Sequence, residues 1–207
     1  MKKEYILGIL FFSALWGISE AVLGNALYTA NVPYSSVPLT VIGFVILTFA
    51  RVYLAQRGTA VLIAVCATLY KFLNAPFFAC HLLGIVLLGV GYEVLFSKSN
   101  LKNRAIRAAA AVYFGYASFA LMITYVFRYD PWVQAGFSKV LSFVGIGGSI
   151  AALGCAVFVP LSFHFAERLK AKVAVPFGLR LRLATAGVPL VTTGLWVFSV
   201  AVFFIKI

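Results

Sequence analysis

YILGILFFSALWGISEAVLGNALY, running from Tyr5 to Tyr28, is the stretch whose reading decides the class of this fold. Its apolar residues continue without the every-second-residue alternation of a strand with one face to lipid and one to a polar lumen. A run of this length matches the roughly 17 to 25 residues that carry an α-helix across a bilayer. Backbone amides in hydrocarbon must be satisfied inside a helix or a closed barrel. With the barrel pattern missing, the stretch reads as a transmembrane helix. Met1-Lys2-Lys3 ahead of an apolar run resembles a signal peptide, but the run is longer than a signal core and holds Glu20. The expectation is a retained first helix.

The rest of the chain repeats this pattern, divided by Pro, Gly, Asn and charge. Thr29 to Ser36 connects to a second helix at Val37 to Leu54, and Gln56-Arg57-Gly58 turns into a third at Thr59 to Leu73, which stops at Asn74-Ala75-Pro76. A fourth helix is expected at Phe77 to Phe96, followed by the polar run Ser97 to Arg104, and a fifth at Ala105 to Phe127. Arg128 to Ser138, with Asp130-Pro131-Trp132, is expected to be a loop before a sixth helix at Lys139 to Phe165. Glu167 to Arg182 then forms a basic connection to a seventh at Leu183 to Ile205. The fold class is therefore all-α, a polytopic membrane helix bundle of about seven transmembrane helices, with six also compatible. Residues 1–207 form one domain, and no inverted internal repeat stands out.

Composition agrees. Hydrophobic residues make up 63% of the 207 and charged residues 11%, against roughly half and a quarter in a soluble domain; no water-soluble fold covers that much apolar surface. The net charge of +12 would suggest nucleic-acid binding in a soluble protein. Here the basic residues sit at the ends of apolar runs, so nucleic acid is not an expected partner and the lipid bilayer is. With alternate connections on opposite sides, Lys2, Lys3, Arg51, Arg57, Lys98, Lys102, Arg104, Arg107, Arg168, Lys170, Lys172, Arg180 and Arg182 share one side. Arg128, Lys139 and Lys206 take the other, and Lys71 is left within the membrane. The positive-inside rule then places the N-terminus in the cytoplasm, with the plasma membrane as the expected location.

Ionisable groups at membrane depth cost roughly 2.5 to 3.5 kcal/mol on insertion scales, so they face a partner or a cavity. Glu20 lies about 12 Å from the Tyr28 end at the helical rise, near the midplane, with Asn25 further along the same helix. Lys71 and Asn74 lie near the far end of the third helix, and His81 sits about one turn into the fourth. Glu20, Asn25, Lys71, Asn74 and His81 thus fall at one depth range from three helices, and converging faces would make a polar cavity that binds a small-molecule substrate. Tyr28, Tyr34 and Trp132 stand where they either anchor at the interface or close over a bound molecule. Structural readings stand beside these: Glu20 hydrogen-bonded to a neighbouring helix, Lys71 snorkelling to the headgroups, and His81 joining two helices.

Other features read as structural. Glu93, His164 and Glu167 lie near the basic end, where ion pairs at the headgroups explain them, Lys98 being the near partner of Glu93 in sequence. Cys66, Cys80 and Cys155 have no metal-type spacing and read as small packing residues. No metal or cofactor is expected, and the catalytic inventory is too thin for an enzyme. Ser13, Gly17 and Ala21 recur every fourth position, as do Gly147 with Ala151 and Gly148 with Ala152. That pattern marks close helix packing, inside the bundle or against another subunit.

On size, topology, basic loops and this polar cluster, with Ala14-Leu15-Trp16-Gly17-Ile18-Ser19-Glu20 as the suggestive local stretch, the chain resembles the small substrate-binding subunits (S-components) of energy-coupling factor vitamin transporters. Such subunits are helical cups that capture a vitamin or metal ion from outside and deliver it through a membrane coupling subunit and two cytoplasmic ATPases. The resemblance implies those partners here, a lid at Thr29 to Ser36, and a docking surface on the small-residue stripe of the first helix. The family typically has six spans and an alanine-rich coupling motif; Ser13, Gly17 and Ala21 stand in its place. The expected function is uptake of a small, vitamin-like solute with a separate ATPase module. The alternative is a stand-alone proton-coupled transporter or exporter using Glu20.

Overall fold

The computed structural model describes residues 3–70, 79–97, 102–172, 187, 189–198 and 201. It is helical throughout, with no strand among the described residues. The helices are α1 (Lys3–Thr29), α2 (Ser36–Leu54), α3 (Thr59–Thr68), α4 (Ala79–Phe96), α5 (Arg104–Val126), α6 (Asp130–Lys172) and α7 (Pro189–Phe198). Four of them, α1, α2, α5 and α6, are long and apolar enough to cross a membrane.

Short turns fix the antiparallel neighbours. α2 ends with Ala55 in the left-handed region (φ 50°), its N–H donating to the Arg51 carbonyl at 3.2 Å. Gly58, at φ 81°, then starts α3, a conformation that glycine adopts without a Cβ penalty. α1 packs on α3, α3 on α4, α4 on α5, α5 on α6, α6 on α2 and α2 on α1, which closes a ring of six helices. α7 reaches this ring at Tyr70, where the Trp196 ring lies 4.2 Å from the tyrosine ring.

The small-residue stripes are consumed inside this ring. Ser13, Gly17 and Ala21 are all buried, and a Cβ on Gly17 would overlap the Tyr70 ring. Gly147, Gly148, Ala151 and Ala152 are buried likewise. The three residues at which the resemblance implies a docking surface are therefore covered by the chain's own packing. Gly43 makes room in the same way for the fully buried Trp16 indole, which a Cβ would meet at 2.7 Å.

The expected loop Arg128 to Ser138 and the expected helix start at Lys139 are both corrected. Asp130 and Pro131 start a helix, because proline suits the first turn and an acidic side chain favours the positive end of the helix dipole. That helix runs on to Lys172, past the expected end at Phe165, with one break at Gly136 (φ 63°, ψ −160°). Lys139 lies inside this segment, its ammonium 5.7 Å over the Trp132 ring. The basic connection expected at Glu167 to Arg182 is helical as far as Lys172.

One end of the ring carries Arg51, Arg104, Arg107 and Lys170, and it is tied shut. The Glu93 carboxylate accepts the Ala60 N–H at 3.0 Å, in the first turn of α3, and lies 3.8 Å from Arg51. Its partner is thus Arg51 and a helix N-terminus; Lys98 lies outside the described residues. Arg51 also donates to the carbonyls of Gln56 (3.0 Å) and Ser97 (3.1 Å). Arg104 pairs with Glu167 at 2.8 Å and lies 4.4 Å over the Phe163 ring. Arg107 and Lys170 donate to the carbonyls of Leu95 (3.2 Å) and Val52 (2.6 Å). Above these ties a column of rings fills the middle of the bundle: Phe44 against Tyr92 at 5.3 Å, Tyr92 on Phe96 at 4.5 Å, Phe96 on Phe163 at 5.7 Å. The Tyr92 hydroxyl is satisfied by Thr48 at 3.0 Å, as a buried hydroxyl requires.

Candidate functional site

Opposite the basic end, five of the six ring helices line a cavity of about 440 Å³. Glu20, Gly24 and Asn25 reach it from α1, and Cys80, His81 and Gly84 from α4. Ser36, Leu39 and Thr40 line it from α2, Tyr116 and Phe119 from α5, and Trp132 and Phe143 from α6. Tyr28 and Tyr34 line it too, and with 64% and 45% of their surfaces exposed they mark where it opens. Towards the basic end, Leu39, Ile85 and Leu88 form its apolar floor, and the column headed by Phe44 lies beneath.

A local irregularity sets the α1 wall. Residues five apart on an α-helix diverge by about 140° around the axis, so Glu20 and Asn25 belong on different faces of a regular helix. Ser19 to Leu23 form a π-turn, closed by the Gly24 N–H donating to the Ser19 carbonyl. An i→i+5 turn stacks residue i beneath residue i+5. The extra residue per turn brings Glu20 and Asn25 to one face. Two further π-segments, Met122–Val126 and Phe143–Gly148, lie in the cavity-side halves of α5 and α6. Among the described residues the basic halves hold none. π-turns of this kind mark functional sites often enough to be informative.

The α2 and α5 walls meet through hydroxyls. Thr40 donates to the Ser36 carbonyl at 2.8 Å and lies 3.2 Å from the Tyr116 hydroxyl, which donates to the Ser36 Oγ at 3.3 Å. Gly147 and Gly148 pass beside the Tyr116 ring, where a Cβ on either would stand at an ordinary contact distance of 3.5 to 3.6 Å. Where α5 meets α6 the wall is aromatic. Phe143 stacks on Tyr116 (4.8 Å) and meets Trp132 edge to face (5.2 Å), and Phe119 packs on both Trp132 and Phe143 at 5.5 Å.

Of the residues expected from sequence, Glu20, Asn25 and His81 stand on the wall of this one cavity, with Tyr28, Tyr34 and Trp132 around it. Lys71 and Asn74 lie outside the described residues. Glu20 is 7% exposed, buried against protein on most sides. Sequence reasoning missed Ser36, Thr40, Cys80, Tyr116, Phe119 and Phe143. A hydroxyl pair one turn apart, Ser36 with Thr40, was the available signal on α2. Tyr116 had none to separate it from Tyr113, which points outward to Ser149 at 2.7 Å.

Among the described residues no group of His, Cys, Asp and Glu has the geometry of a metal site. The wall offers a carboxylate, an amide, an imidazole, several hydroxyls and an array of rings. No protein family, no curated protein and no solved structure matches this chain.

Proposed function

We propose that this chain is an integral protein of the plasma membrane that binds a small solute from outside for uptake, as a substrate-binding subunit working with a separate ATPase module. The cavity carries the proposal. Its volume of about 440 Å³ falls in the range of roughly 300 to 1,000 Å³ of small-molecule sites, and its polar groups come from several helices. It opens at one end, and the aromatic column and the ion-paired basic end close the other. The positive-inside rule assigns the basic end, with the N-terminus, to the cytoplasm, so the mouth faces outward. In this reading α3, α4 and α7 cross the bilayer with the four long helices, for seven spans. Six of them form the ring, in keeping with the six-span cups that the sequence resembles. The chain has no G-x-x-x-x-G-K-[ST] loop, so ATP hydrolysis belongs to other subunits.

Glu20 at membrane depth on the cavity wall favours one second reading, a stand-alone transporter in which that carboxyl loads and releases a proton as solute crosses. Mild-detergent purification of the tagged chain from its native membrane, with mass spectrometry of proteins and small molecules, separates the two. Recovery of an ATPase pair with a membrane coupling subunit is the expected result. A chain that purifies alone and transports in liposomes on a pH gradient, with transport lost in Glu20→Gln, replaces the uptake-subunit reading with the second.

A further inference from the structure

Asn25 and Ser36 line the cavity, partly buried, with hydrogen bonds still to give. Each hydroxyl that joins α2 to α5 carries a single proton. Thr40 gives its proton to the Ser36 carbonyl and Tyr116 gives its own to the Ser36 Oγ. The Ser36 proton therefore reaches no acceptor among the described residues. On α1 the Asn25 backbone carbonyl accepts from Thr29 at 2.8 Å, while its side-chain amide has no partner among the described residues. Glu20 and His81 stand on the same wall but have partners within the chain. The π-turn at Ser19–Leu23 sets Asn25 on this side of α1. In the helix ring α1 stands opposite α5, so Asn25 lies across the cavity from the rings where α5 meets α6, Phe119 and Phe143 among them.

Resting on the reading of this cavity as a solute site, we propose that it selects a flat ring with a carboxamide or lactam edge, a C=O beside an N–H. That edge is the complement of the Asn25 amide, whose carbonyl accepts and whose NH2 donates. The second lone pair of the ligand carbonyl takes the Ser36 proton. The ring lies against Phe119 and Phe143, where offset or edge-on contact between rings adds to the burial of their area. A ring without the edge would leave the Asn25 amide and the Ser36 hydroxyl desolvated and unpaired, which costs binding. Gly84 keeps the cavity wide enough for a flat ring beside Phe119: a Cβ there would stand 3.7 Å from the Phe119 ring and take up that space.

Three probes of nearly one size separate the edge from the ring. Benzamide has both, acetophenone keeps the ring and the C=O without the N–H, and cyclohexanecarboxamide keeps the edge without the flat ring. Cys80 lines the cavity and is partly exposed, so its protection from a small methanethiosulfonate, read by site-resolved mass spectrometry on the full chain in nanodiscs, reports occupancy. Benzamide is expected to protect at a concentration roughly fivefold below acetophenone, the difference a neutral hydrogen bond makes, and severalfold below cyclohexanecarboxamide. Asn25→Leu should bring benzamide and acetophenone together, and Ser36→Ala should weaken both alike. Phe119→Leu should narrow the gap to cyclohexanecarboxamide, which keeps the test decisive where Asn25→Leu does not fold. Equal protection by benzamide and acetophenone, a gap between them that survives Asn25→Leu, no preference for the flat ring, or protection by none of the three overturns the proposal. Because the assay uses the chain alone, the expected preference without co-purifying ATPases leaves this proposal standing and removes the uptake-subunit reading. Recovery of those partners with acetophenone binding as well as benzamide does the reverse.

Discussion

The two ends of the helix ring use polar residues in opposite ways. At the basic end, charged side chains are spent on the protein: Glu93 on the Ala60 amide and Arg51, Arg104 on Glu167 and the Phe163 ring, Arg107 and Lys170 on helix-terminal carbonyls. Among the described residues the helices there carry no π-turn, and rings fill the axis. At the other end the helices carry π-turns, glycines replace bulk, and Glu20, Asn25, His81, Thr40 and Tyr116 are held around space. On the proposed function, the contrast separates stability from binding. A substitution at the first end should cost folding, and one at the second should cost ligand.

Four substitutions put that separation to the test, in order of expected effect. Glu93→Ala should be the most damaging, since removing one partner of a largely buried pair costs roughly 3 kcal/mol or more. A large fall in melting temperature in detergent is expected, and an unchanged midpoint would mean that the basic end is not what holds the ring. Gly91→Ala comes next. A Cβ there would stand 2.7 Å from the Ala111 carbonyl oxygen, a backbone atom that cannot swing aside, and overpacking of this kind costs about 1 to 3 kcal/mol. Size-exclusion profiles at rising temperature should show its earlier loss.

Gly84→Ala belongs to the other end. Its Cβ meets Phe119 at an ordinary 3.7 Å, so stability should stay within about 0.5 kcal/mol while occupancy of the cavity, read by Cys80 protection, falls severalfold. A folding defect in this variant would erase the distinction between the two ends. Lys170→Ala should do least: its bond to the Val52 carbonyl is exposed, and exposed polar ties contribute about 0 to 1 kcal/mol. A thermal scan should scarcely distinguish it from the parent chain.

Much of the site's composition was legible beforehand. An apolar run with a single carboxylate marks Glu20 whatever the neighbours are, and the spacing of breaks placed Asn25 and His81 at the same end. Rotation about the helix axis was not legible. On a regular α1, Glu20 and Asn25 would face different ways, and the π-turn at Ser19–Leu23 that aligns them has no signature in its residues. Tyr113 and Tyr116 look alike in sequence, yet one faces out to Ser149 and the other carries the hydroxyl network with Thr40 and Ser36. Gly136 was visible as a glycine but not as the break in the helical stretch that holds Trp132 and continues to Lys172.

By itself the sequence determined the all-helical class, most of the helix ends, and the gathering of basic residues at one end of the bundle. Those follow from properties each segment carries alone: its length, its apolarity and the charges at its ends. The tertiary structure decided which faces meet, that Ser13, Gly17 and Ala21 are buried in the bundle, with Gly17 against the Tyr70 ring, and that a column of rings closes the bundle beneath an open cavity. The physical reason is that apolar residues surround α1, α3 and α4 almost evenly, so none of these three prefers one rotation by itself. Only packing against its neighbours chooses among them.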